Sequence, residues 1–351
     1  MGMKRISFKA FSPGFAAWAC LLAGPAFATT LDMVTVGDPG NAADTAPAGR
    51  GAVSASFKIM TYEFTNQQYA NFLNAVAATD TYSLYNSRMG SLPRGGITQS
   101  GASGSYSYAV KENMGDKPVN YVSWFDAARV ANWYQNGATG TSDTETGAYT
   151  LNGDLSDPKA PNSGATFFIP TVDQWYKAAF YKGGGTDAGY WNYATQSDTD
   201  PTAVSAGATG IGSAGNTGNY ANYSAAAVWN GQTGNVTTIG TNGGPGAYGT
   251  FDMSGNLNEW NDGNGFDQTP ERGIWGGSWN GNANDLSSSH SVDYPATQES
   301  STIDFRLASP VSASVPEIDP SSFGSAFALL IGSLGWMERR ARRAMGLVTA
   351  A

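Results

Sequence analysis

One cysteine, Cys20, and one histidine, His290, are the only thiol and imidazole in the sequence. Cys20 falls in a stretch that reads as a removable leader. The mature chain is therefore expected to have no thiolate nucleophile, no disulfide and no cysteine-metal site. His290, within Ser287-Ser288-Ser289-His290-Ser291, cannot alone build a three-histidine iron centre, and the spacing does not position a serine and an acid around it as a triad. It reads as a solvated loop histidine. Gly210, Gly212 and Gly215 have the spacing of a dinucleotide fingerprint, yet they sit in a Gly/Ala/Ser/Thr tract with no clear strand before it. Oxygen and aromatic chemistry remain. Trp275, Trp279 and Tyr294 have faces that stack on sugar rings, with Asn280, Asn282, Asn284 and Asp285 as polar contacts; the competing reading makes the tryptophans core.

The ends of the chain predict where this chemistry operates. Residues 1–28 combine a basic start (Lys4, Arg5, Lys9), an apolar run from Phe15 to Ala23, and Ala26-Phe27-Ala28 as a small-residue cleavage site, so the mature chain is expected to begin near Thr29. At the other end a linker over 311–322 carries Val315-Pro316-Glu317-Ile318-Asp319-Pro320. An apolar stretch from Phe323 to Met337 and the basic stop Arg339, Arg340, Arg342 and Arg343 follow, within 323–343. Fifteen helical residues rise only about 22 Å, short of a hydrocarbon core of about 30 Å. The segment therefore suits transient retention better than permanent spanning, with its arginines on the cytoplasmic side; a plain C-terminal transmembrane anchor is the alternative. Export to the cell envelope or beyond is expected.

Three of the 19 basic residues lie in the leader and four in the tail, with only Glu338 of the 28 acids beside them, so residues 29–322 keep 12 basic and 27 acidic residues. A body that acidic repels nucleic acid and anionic lipid and suits cations.

Any site must be positioned by the elements of residues 29–310, which form one domain large enough for a substantial core. Thr65-x-x-Gln68 opens a helix over about Asn66 to Ala78, with Tyr69, Phe72, Leu73 and Val76 as its inward stripe. Ser123-x-x-Asp126 opens a second, with Trp124, Ala127, Ala128 and Ala131 inward. Thr171-x-x-Gln174 opens a third, with Val172, Trp175, Tyr176 and Ala179 inward and Gly183-Gly184-Gly185 as its stop. Alternation over Val53, Ala55, Phe57 and Ile59 predicts a half-buried strand. The 45 glycines of the chain and its many Asn, Ser and Thr residues predict turns and long connections, above all beyond Lys182, and these need dense packing or bound ions to hold them. The class is α+β, loop-rich, with few helices.

The tail resembles the PEP-CTERM sorting signal of bacterial envelope proteins, in a Val315-Pro316-Glu317-Ile318-Asp319 form. The resemblance implies an exosortase-type processing enzyme as a partner. Five segments of the body, in order, resemble the formylglycine-generating enzyme, or sulfatase-modifying factor, family. They are Tyr62-Glu63-Phe64-Thr65-Asn66 with Gln67-Gln68-Tyr69; Pro118-Val119-Asn120-Tyr121-Val122-Ser123-Trp124; Ile169-Pro170-Thr171 with Gln174-Trp175; Tyr248-Gly249-Thr250-Phe251-Asp252-Met253-Ser254-Gly255-Asn256 with Glu259-Trp260; and Gly276-Gly277-Ser278-Trp279 with Phe305-Arg306-Leu307-Ala308. The implied fold is that family's variant of the C-type lectin fold.

The resemblance also implies sites. The family's enzymes use two cysteines and copper, at positions that here are Gly281 and Leu286. Neither residue binds Cu(I), so copper and formylglycine generation are not expected. Asp252, Gly255, Leu257 and Glu259 match calcium-holding positions, and a second calcium site would begin at Asn222 and Tyr223. Asn258, Trp275 and Asp304 depart from the family pattern, Asp304 standing where glycine usually precedes Phe-Arg. The expected function is a binding or structural module at the envelope, directed at extracellular polysaccharide or another surface protein. The alternative is an enzyme of the same fold with cysteine-independent, metal-assisted chemistry.

Overall fold

Residues 30–311, except 48, 157 and 264–270, are described by the computed structural model. The leader and the sorting segment, with Val315, Pro316 and Glu317, lie outside the described residues. The elements in chain order are β1 (Met33–Val36), β2 (Phe57–Met60), α1 (Asn66–Val76), α2 (Ser87–Ser91), β3 (Ile97–Ser100), β4 (Ser107–Val110), α3 (Trp124–Gln135) and α4 (Val172–Phe180). They continue with β5 (Thr202–Ala203), β6 (Tyr220–Ala221), β7 (Asn258–Trp260), β8 (Glu271–Trp275), a 3₁₀ turn at Ala283–Leu286, β9 (Ser291–Pro295), β10 (Ile303–Phe305) and β11 (Ala308–Pro310). Among the described residues no helix is long and apolar enough to cross a membrane.

The three long helices start where their capping boxes place them. Thr65, Ser123 and Thr171 each accept from the backbone N–H three residues on, and Gln68, Asp126 and Gln174 accept from the cap in return. α1 stops at Val76, two residues before its expected end. α3 is buried along Trp124–Trp133, a helix enclosed on all sides. α4 ends at Phe180 because Tyr181 turns extended, ahead of the three glycines. The alternation from Val53 makes a strand only over Phe57–Met60, since Ala55 is exposed and the preceding residues pair with nothing in a ladder.

Two sheets organise the core. β1, β2 and β11 form one, with β1 antiparallel to β2 and Met33 opposite Met60. The other runs β10–β7–β8–β9, with β10 parallel to β7 and the other two pairings antiparallel. The chain leaves the second sheet after Phe305 and enters the first at Ala308, with Phe64 N donating to Phe305 O and Met60 N to Leu307 O. Arg306 therefore sits at the step between the sheets. One apolar cluster joins α1 and α3 to β7, β8 and β10, and another packs α4 under β1 and β2 through Trp175, Tyr176 and Trp275.

From Tyr181 to Leu257 the chain is mostly turns, fastened by polar side chains. Asn222 Nδ2 reaches Asn235 O, Thr237 Oγ1 and Asn256 Oδ1 at 2.9–3.0 Å. Lys117, 2 % exposed, donates to Thr209 O and Thr238 Oγ1 while lying over the Trp229 ring. Gly210 packs against Lys117 and Trp229, and the Gly210–Gly215 segment lies in turns between β5 and β6, with no helix after it. A dinucleotide site needs both a strand before and a helix after such a loop.

Candidate metal centre

The parallel pairing of β10 with β7 sets Asp304 directly opposite Glu259. Like charges in that relation repel, and the side chains around them are correspondingly organised. Glu259 faces Arg306, whose Nε lies 2.5 Å from Oε2 and whose Nη2 lies 2.6 Å from Oε1. Trp175 Nε1 donates to the same Oε2 at 2.7 Å. The remaining guanidinium hydrogens go to the carbonyls of Met60, Thr61 and Phe251 at 2.9–3.2 Å. All five Arg306 donors are thus used, in a place where Arg306 and Glu259 are 0 % exposed.

Glu63, just after β2, enters from the first sheet. It accepts from Asn256 Nδ2 at 2.7 Å and from Leu257 N at 3.2 Å. Among the described residues, carboxylate oxygens of Glu63, Glu259 and Asp304 lie within 4.8 Å of one another. All three residues are fully buried. Neither oxygen of Asp304 has a hydrogen-bond partner. Burial drives the Asp304 and Glu63 carboxyls well above the usual carboxylate range, and the neighbouring acids add to the effect while Arg306 opposes it.

The calcium positions expected from the resemblance are spread around this cluster. Asp252 accepts from Gly240 N at 2.5 Å and from Asn242 Nδ2 at 2.9 Å, and stands outside the group of three acids. Burial raises its carboxyl, and those two donors pull it back. Gly255 has φ +92°, and a Cβ there would lie 2.6 Å from Asn222 O. Leu257 is core. Asn222 belongs to the asparagine network above, with Oδ1 buried and unpartnered, and Tyr223 OH donates to Pro201 O. Glu259 is the one expected calcium residue that joins the acid cluster.

Of the two readings of the tryptophans, stacking platform or core, the burial of both rings agrees with core. Trp275, 3 % exposed, packs against Trp175 and Tyr176. Trp279, 7 % exposed, lies under the Arg94 guanidinium and donates to Ser301 O. Trp275 is covered by α4, and Trp229, Gly234 and Val236 of the 223–237 loop close over Trp279. Asn282 and Asp285 cap the 3₁₀ turn reciprocally, and Asn280 Oδ1 accepts from Ser278 Oγ. Tyr294 alone keeps an exposed ring. His290 is partly exposed, its Nε2 3.7 Å from Asp285 Oδ1.

In the sequence Glu63 and Arg306 stand only as letters of the family motifs, and Asp304 only as a departure from them. The signal was there, because an acid replacing a glycine beside Phe-Arg in a short buried strand adds a charge that must be answered.

A family model, the sulfatase-modifying factor enzyme 1-like domain, matches residues 22–311. The chain belongs to that family, and its fold is the family's α+β, C-type-lectin-like one. No curated protein matches it. Among solved structures it is similar to CarF, at 21 % identity and TM-score 0.49, over 81 % of this chain and 99 % of that one. It is also similar to variable protein 1 of Treponema denticola, at 20 % and 0.45 over 79 % and 94 %, and to PvdO from Pseudomonas aeruginosa, at 16 % and 0.42 over 80 % and 92 %.

Proposed function

We propose that this protein is a non-catalytic member of the sulfatase-modifying factor family, exported and sorted to the cell envelope, where it binds a surface partner or builds surface structure. One observation carries the reading: Gly281 and Leu286 occupy the positions that correspond to the family's two copper-binding thiols. Leu286 is fully buried, its δ-methyl against Gly277, and a Cβ at Gly281 would lie 3.0 Å from Asp285 Oδ2. A hydrocarbon and a bare backbone supply neither soft ligands nor electrons. The buried carboxylates do not favour a metal-assisted enzyme, because Glu63, Glu259 and Asp304 have no exposed surface for a substrate to meet.

The acidic body suits an uncharged extracellular polysaccharide or another surface protein with basic character. With both tryptophans in the core, a protein contact needs fewer assumptions than sugar stacking. The tail resemblance supports an exosortase-type enzyme as the processing partner. Incubating the purified protein with a cysteine-containing sulfatase peptide, Cu(I) and oxygen tests the central claim by mass spectrometry. The expected result is unmodified peptide; conversion of the cysteine to its aldehyde overturns the reading.

A further inference from the structure

Glu63, Glu259 and Asp304 bring three carboxylates together against one guanidinium, that of Arg306, and all four groups are sealed from solvent. Ionised together they leave two uncompensated negative charges in the core, which a folded chain does not tolerate without a counter-charge or protons. The hydrogen bonds divide the cluster unevenly. Glu63 has two donors and Glu259 has three, but both oxygens of Asp304 are orphaned although the residue is 0 % exposed. An unpartnered buried carboxylate held opposite another acid by strand register is costly unless something not made of protein meets it.

We infer that Glu63, Glu259 and Asp304 together hold one hard divalent cation of calcium's size. Three features select it. The donors are all carboxylate oxygens, which suit hard cations. Their oxygens lie within 4.8 Å of one another, close enough for one ion to meet all three. A charge of +2 cancels the excess. Asp304 is the residue that creates the site, since Glu259 also serves Arg306 and Glu63 also serves Asn256. Of the calcium positions expected from the resemblance, this ion shares only Glu259.

Its three ligands are 0 % exposed, so binding such an ion is coupled to folding. The test therefore refolds the full-length chain from urea in either calcium or EDTA and measures bound metal and thermal melting. One ion per chain is expected, with a melting temperature higher in calcium than in EDTA. Asp304→Asn is expected to weaken binding at least tenfold and to remove that difference. If Asp304→Asn does not fold, Glu63→Gln replaces it, and the wild-type comparison is decisive by itself. Absence of metal, with melting indifferent to calcium and raised by Asp304→Asn, would mean that protons neutralise the cluster and overturns the inference. Loss of the ion in Asp252→Asn but not in Asp304→Asn would place it elsewhere and overturns it equally. The aldehyde assay is untouched by either result, so the two readings fail separately.

Discussion

At the scale of the residue, buried acids dominate the behaviour of this protein. Asp126 is the capping partner of Ser123 at the start of α3, accepting from its backbone N–H at 2.8 Å and its hydroxyl at 2.7 Å. Burial pushes its carboxyl up to about 7, with the Glu299 charge adding to the shift and Arg129 opposing it. A carboxyl that holds its proton more tightly folded than unfolded favours the folded state most at pH values below the ordinary carboxylate range. That advantage shrinks as pH rises from about 4 and is gone above about 7. The melting temperature is thus expected to fall between about pH 4 and 7, and Asp126→Asn to flatten that slope. A slope unchanged by the substitution would assign the effect to other acids. The Arg306–Glu259 pair answers differently. Arg306→Met strands Glu259 and three carbonyls, at a cost of about 3–5 kcal/mol, visible as a large drop in the urea midpoint.

At the scale of the element, short local signals set the helices and long-range fit sets the rest. Thr171→Ala removes the side-chain cap of α4 and is expected to cost about 1 kcal/mol, read by chemical denaturation. Gly255→Ala should cost more, since it combines a left-handed backbone with a collision against Asn222 O. Loss of well over 1 kcal/mol, or failure to fold, is the expected outcome, and a neutral result would mean the 222 and 255 loops can part. The difference between these two sites explains what the sequence revealed. Capping boxes and their stripes act within one turn, so all three long helices could be read directly. The strands β5 to β11 are two to five residues long, too short for any period to register, and their pairings join residues far apart. The acid cluster was hidden for the same reason. Asp304 meets Glu259 only through the β7–β10 register, and Glu63 arrives from another sheet. The tryptophans carry two readings in the sequence because stacking chemistry and core burial use the same residue type, and only the packing around the rings separates them.

At the scale of the whole molecule, residues 29–322 hold 27 acids against 12 bases, and much of the described chain lies in turns. Its loops are held by asparagine and lysine side chains that find backbone partners, a means of order that needs no disulfide. If the ends are processed as their resemblance implies, protein recovered from its native envelope will have an intact mass lacking residues 1–28 and the segment after the sorting motif. A full-length mass would refute both cleavages. Strong retention on a neutral envelope polysaccharide or on a basic surface protein, falling with salt only in the second case, would separate the two kinds of partner.

Arg306 binds the carbonyls of Met60 and Thr61 across some 245 positions of sequence. A domain whose clasp lies so near its last described strand has no finished interior until that strand is in place. Without Arg306, Glu259 has no guanidinium and the two sheets lose the step that joins them. The stretch from β10 to β11 thus closes both sheets at once, so trimming it should unfasten residues more than two hundred positions away.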